Sequence, residues 1–322
     1  MILITGSNGF LGSRIVELCE NRELSLLDRG EENKHKAHRF QRAEINRHDD
    51  YSLALSGCST VIHCAARVHS MKDKACDSLK EYRDVNTKGT INLAKQAIKA
   101  GVKRFIFISS IKVNGGKTKH NHPFRMDDDH DPVDNYGLSK SEAELELRLL
   151  AKRSEMDIVI IRPTLIYGPG VKANFASLMN LVSKGVPLPF GCITGNSRSL
   201  VSLDNLVDLI ITCVDSEKAA NQVFLVSDDH DISTSRMVRE MARALGKSER
   251  QLPLPVWCYI LIGKLFNRTD IIDRLTGSLQ VDIKHTKDTL GWTPPQTLQE
   301  GFAKAAKALL HTKKVVRNDS LY

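Results

Sequence analysis

Seven cysteines are scattered through the 322 residues, and no two form a C-x-x-C pair. That speaks against a disulfide framework or a zinc site and suits a reducing compartment. The most apolar stretch, "VWCYILIGKLF" at 256–266, is too short to span a bilayer and contains Lys264. It predicts a buried or interface helix, with contact to a membrane surface as the other reading. Met1 runs directly into "ILIT", leaving no room for a charged leader and cleavage site, so a cytoplasmic location is expected. Aromatic residues are only 6% of the chain, and no long basic block accompanies the formal charge of +8. Scattered Lys and Arg without an aromatic platform argue against nucleic acid, and a modest positive field equally suits a dianionic nucleotide. Part of the excess sits in "HTKKVVR" at 311–317. Repeats and low-complexity segments are absent.

What is present is alternation. Short apolar runs ("MILIT", "LSLLD", "STVIHCAA", "RFIFISS", "DIVIIRP") are separated by amphipathic stretches, including helices expected over about 78–100 and 135–153. Near-continuous Ile, Val and Phe in these runs fit strands buried on both faces of a parallel sheet. After Pro163, Gly- and Pro-rich loops surround one helix at about 174–184, then "RSLVSLDNLVDLIITCV" reads as a strand feeding a helix and "QVFLVS" as another strand. Helices follow, with Ser233 as an N-cap. The expected fold is α/β, a Rossmann-type doubly wound parallel sheet with a smaller, mostly helical C-terminal lobe. Residues 1–166 with about 199–227 would form the nucleotide-binding domain. About 167–198 with 228–314 would form the substrate lobe, and 315–322 a frayed tail.

"MILITGSNGFLG" places Gly6, Gly9 and Gly12 after a strand and at the mouth of a helix. Glycines there permit a tight turn, close backbone approach to a pyrophosphate and tight helix packing, while the helix end offers free N–H groups. Phe10 and Leu11, in the first helical turn, belong to the same candidate set. The spacing is G-x-x-G-x-x-G and not the standard G-x-G-x-x-G. Asp28 ends the second strand, where a carboxylate binds the ribose 2′-hydroxyl and repels a 2′-phosphate, favouring NAD over NADP. Arg29 beside it pulls the other way.

In "DNYGLSKSEAELE" (134–146), Tyr136 and Lys140 stand four apart, so both lie on one helix face. A base with its tuning cation fits, and so does a solvated Tyr and Lys; spacing alone leaves both open. The surrounding motifs bring in a family. The glycine turn, "VIHCAA" (61–66), "VNTKGTINL" (85–93), "FISS" (107–110), "YGLSK" (136–140) and "IRPTLIYGPG" (161–170) together resemble an extended short-chain dehydrogenase/reductase. The subgroup resembled is that of UDP-galactose (UDP-glucose) 4-epimerases and related nucleotide-sugar enzymes. "AARVHSM", "SSIKVNG", "GVKANF", "RSLVSLDNLVDLI" and "GSLQVDI" are similar to bacterial surface-polysaccharide enzymes, both UDP-N-acetylhexosamine 4-epimerases and 4-keto reductases.

The resemblance implies that Tyr136 is the general acid or base, that Lys140 binds the nicotinamide ribose, and that Ser110 reaches the same sugar oxygen. It implies cofactor contacts at Ala65, Ala66, Asn86 and Pro163, and at Glu44 and Ile45 against adenine. Glu44 stands where the family usually has Asp. On the substrate side it implies Asn174 and Arg198, with Arg274, Arg67, His69 and Lys112 as further candidates. A homodimer is also implied. Asn114 replaces a family Tyr and Leu165 a family Asn, so both changes are expected to alter the substrate pocket. Gly277 and Ser278 stand about where larger residues exclude a 2-acetamido group, which favours N-acetylated sugars. Consecutive Asp in "KHNHPFRMDDDHD" (119–131) lack the spacing of a metal site, and His63 and Cys64 read as core.

The expected function is therefore an NAD-dependent 4-epimerase of a UDP-N-acetylhexosamine. A UDP-4-keto-6-deoxy-N-acetylhexosamine reductase is the alternative. A nucleotide sensor that kept the fold without the chemistry is a distant third.

Overall fold

Largely apolar runs of four to seven residues with no exposed position become six of the seven strands of the main sheet. The computed structural model describes residues 1–31, 33–68, 78–119, 122–267 and 269–319. Its strands are β1 (Ile2–Thr5), β2 (Leu24–Asp28), β3 (Arg39–Arg42), β4 (Thr60–His63), β5 (Arg104–Ile108), β6 (Asp157–Pro163), β7 (Leu165–Tyr167), β8 (Leu200–Ser202) and β9 (Val223–Val226). Seven of them form one sheet in the order β3-β2-β1-β4-β5-β6-β9, every neighbouring pair parallel. β7 and β8 make a separate parallel pair.

The helices are α1 (Phe10–Leu18), α2 (Ser52–Leu55), α3 (Ser78–Tyr82), α4 (Thr90–Lys99), α5 (Asn135–Ala151), α6 (Ala173–Ser183) and α7 (Leu203–Asp215). They are followed by α8 (Thr234–Ala244), α9 (Val256–Leu265), α10 (Thr269–Thr276), α11 (Lys284–Leu290) and α12 (Leu298–Asp319). Because successive strand residues face opposite sides, Ile2, Ile4, Ile62, Ile106 and Ile161 pack under α1 and α7. Leu3, Val61, Phe105, Phe107 and Ile160 pack against α4 and α5 on the other side. This is the doubly wound sheet expected.

Three local outcomes differ from the sequence reading. The helix expected over 78–100 contains a π-helical segment, Arg83–Gly89, between α3 and α4. β3 is "RFQR", a polar edge strand with no apolar run to announce it. Helix α12 continues to Asp319, into the stretch expected to fray. Ser233 caps α8 as expected, its hydroxyl accepting from Arg236 N.

A third core, including Tyr167, Phe175, Met237, Met241 and Phe302, joins α6, α8 and α12. Residues 278–282 lace this part to the sheet. Thr118 N donates to Ser278 O, Phe124 N to Gln280 O and Asp282 N to Phe124 O, while Ser199 N donates to Leu279 O on the other side.

Candidate active site

The carboxyl ends of β1, β2, β4, β5 and β6 face one crevice, the place where open α/β sheets bind ligands. At its floor the glycine turn is closed by Gly9 N donating to Gly6 O at 2.9 Å. Gly6 adopts φ +68°, and a Cβ on Gly12 would sit 2.1 Å from Gly6 O. Gly9 caps α1, with Phe10 and Leu11 in its first turn. Ser7, wholly buried in this turn, has a hydroxyl with no partner among the described residues. Asp28 accepts from Asn8 N at 3.1 Å and from Gly30 N at 2.8 Å, which fixes its carboxylate at the strand end. Arg29 beside it is exposed.

The wall after β4 is equally organised. Ala65 N donates to Thr5 Oγ1, and Ala66 follows it along the crevice. His63 is buried between Thr5 and Thr90 hydroxyls, and desolvation drives its pKa down to about 3, so it is a neutral bridge. Burial pushes the Cys64 thiol up to about 12. His63 is fully buried, and Cys64 is partly buried against the sheet core. Asn86, buried in the π-helical segment, exchanges hydrogen bonds with the Arg67 backbone and donates to Ser139 Oγ. It thus clamps the post-β4 loop to α5, one residue before Lys140. Ile45 is buried against Gly89, whereas Glu44 is exposed and its backbone carbonyl accepts from Tyr51. Pro163 ends β6.

Tyr136 and Lys140 share the inner face of α5. Asp134 caps that helix, accepting from Gly137 N at 2.7 Å. The Tyr136 ring lies edge-on to Tyr82, and the Lys112 ammonium sits 5.7 Å from its centre. Lys112 in turn pairs with Asp134. Burial pushes the Tyr136 phenol upward, Asp134 adds to the rise, and a hydrogen bond with the Ser110 side chain opposes it. Lys140 is wholly buried, donating to Ile108 O at 2.8 Å and lying 4.4 Å over the Phe107 ring. Desolvation lowers it to about 7, with Cys64 and Glu144 acting the other way. The structure therefore brings Ser110, Tyr136 and Lys140 together at the end of β5.

Beneath them runs a network that sequence reasoning missed. Glu144, one turn beyond Lys140, accepts from Ser109 Oγ at 2.5 Å and from Arg162 Nη2 at 2.6 Å, and both charged groups are fully buried. Arg162 also donates to Asn114 Oδ1 and meets His130 Nε2 at 2.7 Å. Asn114 donates to Arg125 O. Asn114 is thus a buried strut in this network. A shorter side chain than Tyr fits under the loop and bonds to Arg162. Leu165 is exposed, as a pocket position would be.

Two substrate-side candidates meet. Arg198 Nη1 donates to the carbonyls of Arg274 and Gly277. Burial and then the neighbouring Arg274 guanidinium depress its pKa, so two cations share one spot that an anion would relieve. Arg274 also acts on Asp134, which links this pair to the Tyr136 cluster. Ser278 accepts from Ser197 N beside them. Arg67 is ion-paired with Glu81 and lies over the Tyr82 ring that meets Tyr136. Asn174 occupies the second position of α6, and His69 lies outside the described residues. Asp134 had a legible signal, an Asp just before a helix; the Glu144–Arg162 pair had none.

The model of the NAD dependent epimerase/dehydratase family matches residues 2–227. A UDP-glucose 4-epimerase of Vibrio cholerae is 62% identical over 312 residues, covering 96% of this chain and 95% of that protein. An N-acetyl-alpha-D-glucosaminyl-diphospho-ditrans,octacis-undecaprenol 4-epimerase of Escherichia coli O157:H7 is 29% identical over 340 residues, 97% and 96% of the two chains. Among solved structures, Thermotoga maritima UDP-glucose 4-epimerase with UDP-glucose superposes with a TM-score of 0.77 at 21% identity, covering 97% and 99%. That likeness concerns the fold.

Proposed function

The chain belongs to the NAD dependent epimerase/dehydratase family, and from that premise we propose that it is an NAD-dependent 4-epimerase of a UDP-hexose. The observation that carries the reading is the meeting of Ser110, Tyr136 and Lys140 at the end of β5, beside the glycine turn. The turn fits a dinucleotide: its glycines leave no side chain at the α1 N-terminus, Ser7 keeps an unspent hydroxyl there, and Asp28 is held at the strand end. Gly6, Gly9, Gly12 and Asp28 would hold the cofactor, with Lys140 at the nicotinamide ribose. NAD, when bound, accepts and returns a hydride at C4 of the sugar.

The protein's own part is proton handling and grip. Tyr136 would take the proton from the 4-hydroxyl and give it back, with Ser110 sharing that oxygen. In the structure the phenol is held in its protonated form by burial and by Asp134. Positive charge beside the ring is what makes it a base near neutral pH. Arg198 and Arg274 would bind the diphosphate.

For the sugar, a 2-acetamido group is supported by Gly277 and Ser278, which put little bulk beside the arginine pair. The name of the Escherichia coli relative also contains an N-acetylglucosaminyl group, while that of the Vibrio cholerae relative points to UDP-glucose. Proton NMR of UDP-N-acetylglucosamine and, separately, UDP-glucose with the protein and a trace of NAD⁺ tests both. Conversion of the N-acetylated sugar supports the full reading, and conversion of UDP-glucose alone keeps the epimerase and removes the acetamido preference. If neither changes while NAD binds, the epimerase assignment fails and a UDP-4-keto-6-deoxy sugar with NADH is the next substrate.

A further inference from the structure

The apolar stretch at 256–266 takes no part in this site, and the fold leaves most of it uncovered. α9 turns Tyr259 and Gly263 inward, where Tyr259 meets a small cluster with Ile193 and Ile272. Much of the rest of its circumference is open: Trp257 is 66% exposed, Leu261 60%, Leu265 77% and, just past the helix, Phe266 67%. Ile260 and Ile262 are about half exposed between them. At roughly 100° per residue these positions sweep an arc of about 200° on the helix. With roughly 150–250 Å² on a large side chain, the open area is on the order of 500–700 Å². The largest apolar patch of an ordinary monomer is about 300–600 Å².

We propose that α9 is a monotopic docking helix that lays this arc into the interfacial layer of an anionic lipid bilayer. Charge selects this occupant over another protein. Lys264 stands inside the apolar arc, a place where a protein–protein core disfavours lysine. At a bilayer surface its stem lies along the acyl region and its ammonium reaches the headgroups. Arg274, on the α10 helix that packs against α9, adds an exposed cation, on a chain of net charge +8. The helix is ten residues long, and no helix among the described residues is long and apolar enough to cross a membrane, so it can lie on the surface only. A second copy has a more ordinary face available at Leu145 and Leu149, exposed one turn apart on α5. Docking through α9 would bring the adjoining α10, and with it Arg274, to the membrane surface. The proposal does not rest on the reaction assigned above.

The chain carries its own probe. Of its two tryptophans, Trp292 is buried with its indole N–H on Asp208, whereas Trp257 is open. Full-length protein is mixed with vesicles of phosphatidylglycerol and phosphatidylethanolamine, or of phosphatidylcholine alone. The expected result is co-sedimentation and a blue shift of Trp257 emission with the anionic vesicles, weakened by salt. Leu261→Ser combined with Leu265→Ser should lower partitioning roughly a hundredfold or more, with thermal melting unchanged because both side chains are already exposed. Absence of both shift and co-sedimentation on anionic vesicles overturns the proposal. So does a dimer that the double variant dissociates while vesicles leave the emission untouched, which assigns the face to a second copy.

Discussion

Replacing Lys140 with Met should make the protein more stable in mild acid while removing its proposed chemistry. The ammonium is wholly buried and its pKa falls from 10.5 to about 7 on folding. A lowered lysine pKa means that the unfolded chain binds more protons between those two values, so its burden on the fold is greatest below about pH 7. It fades as pH rises towards 10.5. At about 1.36 kcal/mol per unit, the burden is on the order of 4–5 kcal/mol near pH 6 and about 2 kcal/mol near pH 9. Met also leaves Ile108 O without its partner, a roughly pH-independent loss of about 1–3 kcal/mol. The difference in unfolding free energy between variant and parent should therefore shift by about 2–3 kcal/mol between those two pH values, always favouring the variant more in acid. Urea melts of both proteins at each pH measure it, and titrating groups that do not interact with Lys140 cancel in the comparison. Parallel curves, with a difference that ignores pH, would refute the reasoning.

Tyr136→Phe should lower turnover by about a hundredfold or more while NAD affinity, read by calorimetry, is kept. Glu144→Ala leaves Arg162 charged and buried without its carboxylate, so a loss of about 3–5 kcal/mol in chemical denaturation is expected; a loss within 1 kcal/mol would show that the pair is dispensable. Gly12→Ala should abolish NAD binding or folding, because its methyl would fall 2.1 Å from Gly6 O. Gly195→Ala, with open space around it, is the matched control and should change neither.

The parts of the site that were readable in advance are those whose chemistry is local in the chain. Gly6, Gly9 and Gly12 announce a turn because only a strand and a helix six residues away are needed to interpret them. Tyr136 and Lys140 announce a helix face, and only the accompanying motifs made them a pair. The support beneath was not readable. Glu144 and Arg162 meet across α5 and β6, His130 arrives from a loop, and nothing in the spacing of these three foretells contact. The same holds for the ion pair of Arg67 with Glu81, which the loop position of Arg67 did not announce. The bonds of Asn114 to Arg125 and Arg162 were likewise unreadable, because both partners lie far along the chain. β3 escaped notice because an edge strand made of "RFQR" has no hydrophobic period.

The lacing at 278–282 has a consequence for how the chain is made. The stretch matched by the family model ends at 227, yet Thr118, Phe124 and Ser199 within it bond through their backbone to residues 278–282. A ribosome that has finished the sheet has not yet supplied the strip that pairs with Thr118 and Phe124. Thr118 and Phe124 therefore gain these partners once the last quarter of the chain has emerged. An expression fragment cut at 227 should accordingly be poorly soluble, and adding back the remaining residues in trans should be what rescues it.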